Sequence, residues 1–71
     1  MTLGELVENI TIQSNVKIDL MFSDGQSETV FNEETDDLTY ADIDDKYLNL
    51  KVLYVYANQD GELVIELDSE N

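Results

Sequence analysis

Twice in this chain an alternating apolar run stops at an Asp-Gly pair and resumes on the far side. Residues 16–22 carry Val16, Ile18, Leu20 and Phe22 on one parity, with Lys17, Asp19 and Met21 on the other. Successive side chains of an extended chain point to opposite faces, so this is strand period. Ser23-Asp24-Gly25-Gln26 supplies a hairpin turn, and 27–32 returns as a second, weaker strand. The arrangement recurs at 50–57 (LKVLYVYA), a turn at Asn58-Gln59-Asp60-Gly61, and 62–67 with Leu63, Ile65 and Leu67 facing inward. No proline interrupts any of these runs. Two hairpins confine the chain to a small sheet with one apolar side that needs a cover.

The cover is legible at the start of the chain. Thr2 and Glu5 form a capping box, and Leu3, Leu6, Val7 and Ile10 recur at helical spacing, so 2–10 reads as a short helix. Gly4 weakens it, and a helix this short persists only when its stripe packs on something. Residues 11–15 read as a polar connection with its turn at Ser14-Asn15. Seventy-one residues hold one core and not two, so 1–71 is expected to be a single domain. The expected fold is α+β: an N-terminal helix packed on a four-stranded, mainly antiparallel sheet. A short helix or an irregular acidic link joins the two hairpins. Strand order is left open.

Strand 50–57 is apolar on both parities: Leu50, Val52, Tyr54 and Tyr56 on one, Leu53, Val55 and Ala57 on the other. An antiparallel strand with one wet face alternates with polar residues. A second cover is therefore expected, from a helix within 36–48, another subunit or a bound target. Tyr54 and Tyr56 read either as sheet packing or as an alternative interface, where aromatic residues are enriched.

Composition excludes several kinds of activity. Seventeen acidic residues stand against three lysines, at 17, 46 and 51, with no histidine and a formal charge of −14. Without Cys or His there is no thiolate or imidazole metal ligand, no cysteine nucleophile and no imidazole base. Three scattered lysines make no basic patch, so the protein is not expected to bind DNA or RNA itself. Serines lack a histidine partner and no phosphate-cradling glycine loop is present, so no enzyme, cofactor or metal is expected. High charge alone would suit a disordered chain, but 42% hydrophobic content in patterned runs fits a folded one. No apolar run approaches the ~20 residues of a membrane span, and no basic-then-apolar leader opens the chain. The start at Met1 reads as a whole small gene product in the cytoplasm of a bacterium or of a phage-infected host.

The acids fall in two tracts. Residues 33–45 (EETDDLTYADIDD) hold seven carboxylates: Glu33, Glu34, Asp36, Asp37, Asp42, Asp44 and Asp45. One reading is a solvated link whose aspartates favour a helix N-terminus; the other is an acidic surface offered to a basic groove. A calcium loop begun at Asp42 fails, because its sixth and twelfth positions are Tyr47 and Leu53 rather than glycine and an acid. In the second tract Glu62, Glu66, Asp68 and Glu70 share one parity, interrupted by Val64. Same-face residues of a strand stand about 7 Å apart, so such a row approximates a row of backbone phosphates. Outward charges on an edge strand also block aggregation, which needs only one or two of them.

In size, in charge, in lacking His and Cys, and in these two tracts, the chain resembles the small acidic inhibitor proteins of phages and mobile elements. DNA mimics and anti-CRISPR proteins belong to that class. The resemblance implies a basic protein partner, such as a host defence nuclease or surveillance complex, whose nucleic-acid channel the acids occupy. A reading of a different class is a structural or accessory subunit, most simply a homodimer, whose acidity serves only solubility.

Overall fold

The computed structural model describes residues 1–9, 12–36 and 43–69. It consists of helix α1 (Leu3–Asn9), strands β1 (Ser14–Met21) and β2 (Ser27–Thr35), a single-turn helix α2 (Asp45–Leu48), and strands β3 (Val52–Ala57) and β4 (Glu62–Asp68). The strands form one mixed sheet in the order β2-β1-β4-β3. Each hairpin is antiparallel, and β1 and β4 join them by pairing in parallel at the centre. The fold is α+β. No helix is long and apolar enough to cross a membrane among the described residues.

Local chemistry explains the elements. Thr2 N–H donates to Glu5 Oε1 at 3.0 Å and Glu5 N–H to Thr2 Oγ1 at 3.2 Å, the reciprocal cap that starts α1. The Thr2 backbone N–H and the Thr2 hydroxyl, which both donate to Glu5 Oε1, hold the Glu5 carboxyl below its ordinary value, the backbone donor contributing most. Gly4 has a packing reason: a Cβ there would stand 3.1 Å from the Leu48 carbonyl oxygen, so its absence lets α2 approach α1. Both hairpins turn on a glycine in the left-handed region, Gly25 at φ 87° and Gly61 at φ 80°, which only glycine adopts freely.

The core lies on one side of the sheet. Leu3, Leu6 and Val7 of α1, with Ile12, pack over Val16, Ile18, Leu20, Phe31, Ile65 and Leu67. Tyr47 and Leu48 of α2 join the same side, with Leu50 and Val52. The deepest residues are Val16, Ile18, Ile65 and Leu67 of the two central strands and Leu3 of α1.

Three local expectations change. Ser14 and Asn15 are strand rather than turn, because Asn15 pairs with Glu34 on one side and Glu62 on the other. The second strand continues past 32 to Thr35, which takes Glu33 and Glu34 into the sheet. An irregularity between Val52 and Tyr54 breaks the single parity expected of 50–57. Val52 turns to the core and the tyrosines to the opposite face. Strand β3 is an edge strand, with its expected second cover missing from the described chain: Tyr54 is 66% exposed and Val55 46%.

A candidate acidic sheet face

The sheet side away from the helices is open, and the strand registers place its residues in rows. Thr29, Asp19, Glu66 and Tyr54 stand side by side across the four strands, and so do Asn32, Lys17, Val64 and Tyr56. Glu34, Asn15 and Glu62 make a third row, and Ser27, Met21 and Asp68 a fourth. Five carboxylates (Asp19, Glu34, Glu62, Glu66 and Asp68) thus share this face with two cations among the described residues, Lys17 and, opposite Asp68 at the β3 edge, Lys51. Rows along a strand repeat at about 7 Å and neighbouring strands lie about 4.8 Å apart. The acids form a two-dimensional array rather than a line.

Neutral donors hold three of these carboxylates. Tyr56 O–H donates to Glu66 Oε2 at 2.5 Å, Asn58 Nδ2 to Glu62 Oε1 at 3.1 Å, and Thr29 Oγ1 to Asp19 Oδ1 at 2.7 Å. Such bonds fix where a charge sits without cancelling it. Asp19 also meets a cation, with Lys17 Nζ at 3.6 Å. Val64, between Lys17 and Tyr56 in register, is 2% exposed, so the apolar break in the row is covered by its own neighbours.

The expected acids divide between two sides. Glu34, Glu62, Glu66 and Asp68 come together on the open face; the last three are half-buried rather than fully solvent-facing. Glu33 pairs with the core residue Val16, which puts it on the helix side. Asp44 caps α2, accepting from Lys46 N–H at 3.1 Å, and Asp45 lies in its first turn, both away from the array. Asp36 is exposed just beyond β2, beside an open cleft of about 370 Å³ lined by polar residues including Glu34 and Asn15. Asp37, Asp42 and Glu70 lie outside the described residues. Asp19 was missed as a member, although its parity with Lys17 and Met21 already set it on the polar face. No cluster of three or more acids is arranged to hold a metal ion among the described residues.

Glu66 also acts on its donor. Its hydrogen bond pushes the Tyr56 hydroxyl above the ordinary tyrosine value, with desolvation and the negative charges of Glu66 and Asp19 adding to the effect. A raised value in the folded state means the bond stabilises the fold below pH 10 and ceases to as pH climbs past it. In an alkaline titration followed by tyrosinate absorbance, one of the four tyrosines should ionise late. Tyr56→Phe should remove that late phase; a phase that survives would place the bond elsewhere.

Comparison with protein-family models, with curated proteins and with solved structures gives no match to this chain. The meaning of the acidic face rests on its own residues.

Proposed function

We propose that this protein is an acidic binding protein whose open sheet face occupies the basic, nucleic-acid-binding groove of another protein, the carboxylates standing in for phosphates. One observation carries the reading: five carboxylates share an uncovered face with two lysines, Lys17 and Lys51, and three of them are held by neutral donors. Charges that serve solubility work as well on mobile, fully solvated side chains. A positioned array favours a partner whose cations have positions of their own. A defence nuclease or surveillance complex of the host cytoplasm is the class of partner this suits.

The test is a capture from bacterial lysate at low salt, followed by competition with duplex DNA. The captured partner should be a nucleic-acid-binding protein, released by DNA and by salt. Glu62→Lys, Glu66→Lys and Asp68→Lys combined should weaken binding about 100-fold. That is roughly 1 kcal/mol for each lost pair, at 1.4 kcal/mol per tenfold. Asp44→Lys with Asp45→Lys, on the helix side, should change it several-fold at most. If the triple reversal leaves binding intact while Tyr54→Ala destroys it in a folded protein, the carboxylates are not what the partner recognises.

A further inference from the structure

We propose that β3 is a self-association edge. The outer rim of residues 53–57 pairs antiparallel with the same segment of a second copy, across a two-fold axis that passes beside Tyr56.

The two edges of the sheet are built differently. Strand β2 carries exposed Glu28, Glu33 and Glu34. Charges of this kind keep an edge from pairing with other chains. Strand β3, Val52–Ala57, contains no acidic or basic residue, and Leu53, Tyr54, Val55 and Tyr56 are all exposed. Part of its outer rim is already closed. Val52 N–H donates to the Met1 carbonyl at 2.8 Å and Leu3 N–H to the Leu50 carbonyl at 3.0 Å. The start of the chain thus seals the rim at 50–52 and stops there.

The backbone beyond it is set for a neighbour. Asn58 N–H donates to the Glu62 carbonyl at 3.0 Å. Alternation along an antiparallel pair then turns the groups of Tyr56 toward β4 and those of Val55 and Ala57 outward. Pairing Val55 with Ala57 of a second copy, and Ala57 with its Val55, uses all four outward groups.

Val52–Ala57 carries no charged residue, so two copies meeting along it bring no like charges together. Most other surfaces of a −14 chain meet their own copy with like charge.

Such an axis stands perpendicular to the sheet, so both open faces point the same way. Eight strands at about 4.8 Å make a surface about 38 Å across, near the ~34–36 Å of one turn of duplex DNA. The self-association does not depend on the acidic-face reading and is measured without any partner.

The chain has no cysteine, so Tyr56→Cys puts a single thiol beside the axis. A non-hydrogen-bonded antiparallel pair has Cα atoms about 4.5 Å apart, within disulfide range. Under mild oxidation Tyr56→Cys should form a covalent dimer at least about ten-fold faster than Ser23→Cys, whose thiol sits on the β1–β2 turn. In sedimentation the unaltered chain should approach twice its 8.1 kDa mass, and more of it should pair as salt rises. Ala57→Pro, which removes an outward N–H, should return it to monomer with its circular dichroism unchanged. Equal cross-linking rates for the two cysteine variants overturn the proposal whether or not the proline variant folds. So does a chain that stays at 8.1 kDa at high concentration in high salt, including one that accepts an unrelated extended peptide at this edge instead.

Discussion

Ile65→Ala is expected to lower the melting temperature by about 10–25 °C. Ile65 is fully buried at the centre of β4, in register with Ile18 on one side and Val55 on the other. Truncating a buried isoleucine removes its transfer energy and leaves a cavity, together about 2–5 kcal/mol. A domain of 71 residues has roughly 4–10 kcal/mol in all at ~0.05–0.15 kcal/mol per residue. One kcal/mol moves the midpoint of so small a domain by about 4–8 °C, and about 2 kcal/mol is already roughly a fifth of the largest margin in that range. Val55→Ala is the control: it occupies the same row but is 46% exposed, and it should cost only a few degrees. Thermal melts followed by circular dichroism decide the matter. Equal losses at the two positions would mean that the edge strand β3 is covered as deeply as β4.

The melting temperature should also climb by several degrees between about 20 mM and 500 mM NaCl. At ~0.01 M salt the Debye length is about 30 Å, comparable with the 33 Å longest extent of the molecule. Every carboxylate then repels every other. At 1 M it is about 3 Å and the repulsion is confined to neighbours. Three lysines cannot neutralise 17 acids internally, and the one ion pair among the described side chains is Lys17 with Asp19. Mild acidification from pH 7 should act in the same direction, since each proton taken up reduces the net charge. The gain has a lower bound. Glu5 is held below its ordinary value by the α1 cap, so its contribution is present above 4.5 and is lost as pH falls through the lowered value. Stability should therefore rise, pass a maximum in the mildly acidic range and then fall. A flat salt profile would mean that the charges are paired in the folded state.

These two results would probe different levels of organisation. The first tests packing that the residue pattern already implied; the second tests charge that the fold distributes over two faces. The acidic link at 33–45 looked like one surface in the sequence because its carboxylates are neighbours in the chain. In the structure Glu34 faces the open side and Glu33 the helix side, since adjacent strand residues point oppositely. Asp44 and Asp45 belong to α2.

What the sequence determined by itself is local. The Thr2–Glu5 cap, the two glycines at positive φ and the inward sets Val16, Ile18, Leu20 and Leu63, Ile65, Leu67 follow from contacts within a few residues and from strand period. The tertiary structure decided which strands meet. The parallel pairing of β1 with β4 joins residues nearly fifty apart in the chain, and alternation reads the same whichever neighbour a strand acquires. For that reason the two-sided apolar character of 50–57 pointed to a buried strand, while the fold set it at the edge. A strand apolar on both faces is compatible with a cover on each side or with an uncharged rim left open for another chain. Only the strand order β2-β1-β4-β3 separates the two, because pairing across the sheet is a non-local choice that no window of the sequence contains.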